Sequence, residues 1–330
     1  MSTHAEPPAP DAVEHMPPEQ RDAFRTAIRL EWISLGVLAV IAAAVGLVAG
    51  QSQAMKAAWV EDLLSLLPPI AFLIAARVIR LRATREHPYG HHRSIGVAHL
   101  VAAVALFAMG SFLLYDSAMG LIKGDKPPIG LTVLFGVDIW AGWLMVVVMT
   151  ASGIPPVILG RKKMRLAETL HDKVLFADAD MNKADWMTAL ATVVGVLGIG
   201  IGIWWADAAA AIVVSASILS DGTKNIRAAI RGLTDVRART FDEKKPHPLT
   251  DEAERQTRLI PWVADAVGRV RDEGHVFHAE MFVVPEDGHI PTPEDLDAIR
   301  RSITDLDWKL RDVVVIPTRT IPTGQVPPSA

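Results

Sequence analysis

Three short stretches of this chain carry side chains able to handle ions. The first, LFADADMNKADW (Leu175 to Trp186), sets Asp178, Asp180, Asn182, Lys183 and Asp185 at the head of an apolar segment. The second, WVEDLLSLLPP (Trp59 to Pro69), holds adjacent Glu61 and Asp62 ahead of a proline pair. The third, EHPYGHHR (Glu86 to Arg93), gathers His87, His91 and His92. Carboxylate and amide oxygens ligate divalent cations, and imidazoles bind and release metal near neutral pH. Carboxylates also exchange metal for protons, because both compete for the same deprotonated oxygens.

On a helix turning about 100° per residue, Asp178, Met181, Asn182 and Asp185 share one stripe, and Asp180 faces the other way. Asp185 is two turns further in and is followed by Trp186, Met187 and a long apolar run. An acid at that depth in a bilayer marks an ion or proton path. Asp180 reads as a helix-terminal residue favoured by the macrodipole, and the same is the competing reading of Asp178. A lone buried carboxylate would simply protonate, so Asp185 requires partners on another element. Glu61 and Asp62 are the candidates. Being adjacent, they point about 100° apart and cannot both aim at one point from a regular helix. Asp62 shares its stripe with Ser65 and Pro69, and Pro68-Pro69 can kink the helix and free carbonyl oxygens. The competing reading of this pair is an interfacial acid near the outer end of its span. Asp138 and Asp207 read as interhelical hydrogen-bond partners or caps. His87, His91 and His92 suit a metal-entry loop, although loop histidines often have no such role. His275 and His278 read as surface residues of a strand.

The elements that must position these groups are membrane helices. The chain has 330 residues, 50% hydrophobic, with a formal net charge of -4 and no cysteine. Near-neutral charge gives no footing for nucleic-acid binding, and the absence of cysteine removes thiolate metal sites and disulfides. Apolar runs at about Trp32 to Gly50, Ala57 to Ile79, Ile95 to Ile122, Leu131 to Gly153, Ala177 to Leu197 and Trp205 to Leu219 predict six spans. Arg21, Arg25 and Arg29, then Arg77, Arg80, Arg82, Arg85 and Arg93, then Arg161, Lys162, Lys163 and Arg165 fall on one side of that alternation. The positive-inside rule therefore puts both termini in the cytosol. Residues 1–24 read as a disordered tail, 25–235 as the membrane domain, 236–320 as a cytosolic α+β domain, and the Pro-rich 321–330 as unstructured. In the third of these Thr250 is expected to cap a helix, and the element order is expected to be α-β-β-α-β, a ferredoxin-like arrangement.

Six spans with a cytosolic α+β domain, His87-Pro-Tyr-Gly-His91-His92-Arg93, an acid-bearing fifth span, Trp205-Ala206-Asp207 and Gly232-Leu233-Thr234-Asp235 together resemble the cation diffusion facilitator family of divalent-metal transporters. That resemblance implies a homodimer, joined through the cytosolic domain in the cytoplasmic membrane, that exchanges cytosolic M²⁺ for protons. It implies a site between spans two and five, with Asp185 at a ligand position and Met181 where the family has His or Asp. On span two the motif can be laid on Glu61 and Ser65, or on Ser65 and Pro69. Asp62, Asp178 and Asn182 are nearby donors that can rebuild the site. It further implies a charge interlock between Arg93 and Asp235. The terminal strand VVVIPTRT lacks the family's histidine and aspartate, so no binuclear regulatory site is expected in the cytosolic domain.

Loss of the imidazole moves the donor set from zinc toward oxygen-preferring Mn²⁺ or Fe²⁺, whereas a Met181 thioether pulls toward softer ions. Zinc, manganese, iron and cobalt all stay open as cargo. Two other classes fit part of the pattern. A membrane di-iron hydroxylase would need several histidine boxes, which the remaining histidines do not make. A transport-inactive sensor or scaffold of the same fold is compatible with the missing His/Asp positions.

Overall fold

The computed structural model describes residues 16–78, 81, 84, 93–124, 129–134, 137–242, 244–273 and 276–322. The described residues divide into two compact units, one within 22–78 and 94–230, the other built on the residues from 231 onward.

The first unit is helical. Its elements are α1 (Pro18–Val48), α2 (Gln53–Leu64), α3 (Leu67–Val78), α4 (Arg93–Lys123), a hairpin of β1 (Leu131–Leu134) and β2 (Val137–Trp140), α5 (Ala141–Ser152), α6 (Ile154–Leu170), α7 (Lys173–Gly200) and α8 (Ala206–Leu233). Four stretches, Pro18–Val48, Gln53–Val78, His99–Lys123 and Ala141–Leu170, are long and apolar enough to cross a membrane. α7 and α8 are 28-residue helices that bracket a turn at Ile201 to Trp205.

Local chemistry explains each boundary. α2 stops at Ser65, whose amide donates to Glu61 O at 2.8 Å, and α3 restarts at once with Pro68 and Pro69 in its first turn. Prolines have no amide hydrogen, so the Leu64 and Ser65 carbonyls have no i+4 donor, and the predicted kink becomes a break between two helices. α7 packs against α2, α3, α5 and α6. α4 and α8 approach backbone to backbone: a Cβ on Gly222 would lie 2.7 Å from the Phe107 amide nitrogen, and one on Gly110 2.8 Å from that of Leu219.

Three expectations are corrected here. The chain turns helical at Pro18, inside the expected tail, and Phe24 buries itself against Phe72 at a centroid separation of 6.2 Å. Pro18 suits a first helical position, where the missing amide hydrogen is not needed. The start of the expected fourth span is instead the β1–β2 hairpin, with Leu131 opposite Trp140 and Leu134 opposite Val137. Asp138 lies exposed on β2. Asp180 is not terminal: α7 begins at Lys173 behind the N-cap Asp172, whose Oδ1 accepts from the Leu175 amide at 2.9 Å.

The second unit contains α9 (Leu249–Arg258), β3 (Val263–Asp272), β4 (Phe277–Pro285), α10 (Pro293–Thr304) and β5 (Leu310–Pro317), in the expected α-β-β-α-β order. The sheet order is β3-β4-β5, with β4 antiparallel to β3 and parallel to β5. Ala266, Val270, Phe277, Ala279, Met281, Val283, Ile299 and Ile303 form its core. Thr292 and Asp295 close a reciprocal capping box on α10, and hydrogen bonds from Thr292 hold the Asp295 carboxyl below the usual carboxylate range. α9 is preceded by Pro248 and not capped by Thr250, which is buried within its first turn. His278 is buried as well, its Nδ1 2.5 Å from Asp312 Oδ2, because β5 pairs directly alongside β4. His275 lies outside the described residues.

Candidate metal-handling centre

Two acidic groupings lie within the helical unit, and both draw on α7. The first centres on Asp185. Its carboxyl interacts electrostatically with those of Asp62 on α2 and Asp221 on α8, and Glu61 interacts with Asp185, Asp62 and Asp221. Glu61 Oε1 accepts from Thr188 Oγ1 at 3.2 Å. The buried oxygens Glu61 Oε2 and Asp62 Oδ2 have no hydrogen-bond partner among the described residues. Glu61 and Asp62 open the last turn of α2, just before the break at Ser65. Among the described residues, no three His, Asp or Glu side chains are arranged to hold one metal ion together. The four carboxyls are gathered within electrostatic range and are not closed around a point.

The second grouping is a buried charge network. Lys163 of α6 places Nζ 2.8 Å from Glu31 Oε2 of α1 and also bonds Asp178 Oδ2 of α7. Asn182 donates from Nδ2 to Asp178 Oδ1 at 2.8 Å. All four side chains are sealed from solvent, with Glu31 and Lys163 0%, Asp178 1% and Asn182 2% exposed. Asp178 and Asn182 thus share a stripe, as their spacing predicted; Asp178 meets an ammonium, and Asn182 bonds Asp178.

Met181 borders an apolar pocket with Pro68, Ala71, His99 and Asn225, where His99 Nε2 and Asn225 Oδ1 lie 3.0 Å apart. Ser65 is buried at the end of α2. Asp207 forms an interhelical cap: it accepts from Ser52 Oγ at 2.5 Å and from the Gln53 and Ala54 amides at 2.6 and 3.4 Å, tying the N-terminus of α8 to that of α2. His87, His91 and His92 lie outside the described residues, as does the side chain of Arg93. Asp235, expected opposite Arg93, pairs with Arg271 of β3 at 3.6 Å.

Sequence reasoning missed Asp221, Glu31 and Lys163. Glu31 sits on the buried stripe Phe24, Ala27, Glu31, Ser34, Leu38, and Lys163 on the stripe Pro156, Gly160, Lys163, Ala167, Leu170. A charge at an otherwise apolar 3-4-3-4 spacing was the available signal.

The description "Cation efflux transmembrane domain" matches residues 30–234. The manganese efflux system protein MneS of Bacillus subtilis (strain 168) is 26% identical over 188 residues, covering 56% of this chain and 59% of that protein. The uncharacterized transporter YdbO of the same organism is 24% identical over 201 residues, covering 60% of this chain and 64% of its own length. Magnetosome protein MamM of Paramagnetospirillum magneticum is 25% identical over 263 residues, covering 78% of this chain and 77% of MamM. This chain therefore spans less than two thirds of the length of the first two relatives, and more of the third. With a match over residues 30–234 and four helices able to cross a bilayer, the chain is a multi-pass membrane protein of the cation efflux family, the cation diffusion facilitators.

Proposed function

We propose that the protein moves a divalent metal cation out of the cytosol in exchange for protons, using the carboxyls of Glu61, Asp62, Asp185 and Asp221 as the cargo site. The observation that carries this reading is the convergence of four acids from α2, α7 and α8 inside an apolar helical unit. Acids so placed repel one another unless protons or a cation occupy them. A divalent cation relieves that repulsion, and its departure leaves the same oxygens to protons, which couples the two fluxes. The site closes when an ion arrives, and the broken α2–α3 helix supplies freedom for Glu61 and Asp62 to move toward Asp185. Oxygen-only donors favour ions such as Mn²⁺ over zinc. A relative bearing the name manganese efflux system protein agrees with that choice.

In this reading α7 and α8 complete six spans, both termini are cytosolic in the cytoplasmic membrane, and two copies join through the ferredoxin-like second unit. The test is metal flux in reconstituted liposomes, with Mn²⁺, Fe²⁺, Co²⁺ and Zn²⁺ offered against an imposed pH gradient. Wild type is expected to move Mn²⁺ and a counterflow of protons. Asp185→Ala is expected to abolish both. Equal flux in the variant, or none in wild type, overturns the proposal; the second result favours a sensor or scaffold.

A further inference from the structure

We propose that Glu31, Asp178, Asn182 and Ser34 form a second cation station, occupied in this conformation by the protein's own Lys163 ammonium. The inference rests on the transport reading only in making the station part of the ion's route. Its donor set is a matter of structure alone.

The argument starts from charge. Glu31 and Asp178 bring two formal negative charges to a site where Lys163 brings one positive charge, and all three are sealed from water. A buried ion cluster is tolerated when its charges and hydrogen bonds are matched; here the two carboxyls share a hydrogen bond with each other beside the ammonium, and other oxygens at the cluster stay unpartnered. Asn182 Oδ1 and Ser34 Oγ are buried oxygens with no hydrogen-bond partner among the described residues. Ser34 is 0% exposed and lies one turn beyond Glu31 on the same buried face of α1. Asn182 holds Asp178 Oδ1 through its nitrogen, which places its own unpartnered oxygen beside that carboxylate. Two carboxylates, one amide oxygen and one hydroxyl make an all-oxygen set of net charge -2, suited to a hard divalent cation. An ammonium satisfies part of that set, because it is monovalent and has three donors.

Position supports a role on the route. Asp178 precedes Asp185 by seven residues on α7, about 10 Å of helix rise toward the end that the basic residues orient to the cytosol. Asp185 also interacts electrostatically with both Asp178 and Lys163. A cation entering from the cytosol reaches the level of Asp178 first, displaces a tethered ammonium and passes on to the carboxyls around Asp185. Return of Lys163 then refills the station and opposes backflow.

The experiment uses the full chain in detergent with Asp185→Ala as background, so that the cargo site is silent, and Mn²⁺ as the probe. After equilibrium dialysis, the Lys163→Met chain is expected to retain about one more Mn²⁺ than the background chain, with a matching rise in melting temperature on Mn²⁺ addition. Adding Glu31→Gln is expected to remove that extra ion. Should Lys163→Met aggregate without metal, purification in Mn²⁺ is expected to restore a monodisperse chain that holds the extra ion. A monodisperse Lys163→Met chain without the extra ion, or one that aggregates with Mn²⁺ as it does without, overturns the proposal. Flux is not read in this experiment, so failure of the transport reading would appear in the liposome assay and leave the binding result standing.

Discussion

The hydroxyl of Thr188 lies three residues beyond Asp185 on α7 and donates to Glu61 Oε1 on α2 at 3.2 Å. This bond ties α7 to α2 and, on the proposed transport reading, fixes which Glu61 oxygen is free to face an ion. Orienting partners of metal ligands contribute about 10-fold to 100-fold in metal affinity, so Thr188→Val, which keeps the shape and removes the bond, should raise the Mn²⁺ concentration for half-maximal flux by about 10-fold. The maximal rate should change less, because all four carboxyls remain. An unchanged half-saturation would mean that Thr188 does not hold Glu61 in the working protein. At this scale the acids were legible where they interrupt an apolar run, as Asp185, Glu61 and Asp62 do. Asp221 was not, because it sits in the polar approach to Lys224, Asn225 and Arg227, where an acid looks ordinary. Its place follows only once the turn is known: Asp185 and Asp221 lie equally far in sequence from Ile203, so an antiparallel α7–α8 pair brings them to one level. Lys163 was masked in a similar way, since among Arg161, Lys162 and Arg165 it reads as a topology signal.

Helix termini carry much of the architecture. The first amides of α2 have no partner within their own helix, and Asp207 supplies one from the start of α8, 154 positions away in the chain from Gln53. Asp207 itself is fully buried. Asp207→Ala would leave Ser52 Oγ and the Gln53 and Ala54 amides without this acceptor, at about 1–3 kcal/mol for each buried group, so a loss of about 3 kcal/mol or more is expected in a reversible detergent-denaturation titration. Asp207→Asn, which retains one acceptor oxygen, should lose less. Equal stability of both variants and wild type would show that the cap is dispensable. Sequence patterns carried the element types well where periodicity and punctuation agreed, as in α7, in the proline-broken pair α2 and α3, and in the α-β-β-α-β order of the second unit. They misled at residues 131–140, where Leu-Thr-Val-Leu and Val-Asp-Ile-Trp flank Phe135-Gly136. Apolar content suggested a span there, but β-branched residues at both arms with a glycine between them favour a hairpin.

At the scale of the whole molecule, α7 and α8 are long enough to span but less apolar than the four other stretches. Their charges are the reason: α7 carries Lys173, Asp178, Asp180, Lys183 and Asp185, and α8 carries Asp207, Asp221, Lys224, Arg227 and Arg231. Two of them are partnered within the unit, Asp178 by Lys163 and Asp207 by the start of α2, so these do not confront lipid. Ionisable groups that face a bundle interior are compatible with a span. A helix of 28 residues is long enough, reaching about 42 Å at about 1.5 Å per residue. Trp204 and Trp205 at the α7–α8 turn are half exposed, as interfacial aromatics are. The chain has no cysteine, so one introduced cysteine reports its own side of the membrane without further changes. In intact cells treated with a membrane-impermeant maleimide, Gln51→Cys should label and Glu168→Cys should label only after permeabilisation. Ile201→Cys decides between the arrangements, because that side chain is 78% exposed at the turn. Two further spans place it outside with Gln51, whereas helices lying on the cytosolic surface keep it inside with Glu168. Labelling of Ile201→Cys in intact cells is the expected result, and protection until permeabilisation would remove α7 and α8 from the bilayer and, with them, the depth of Asp185 on which the cargo site depends.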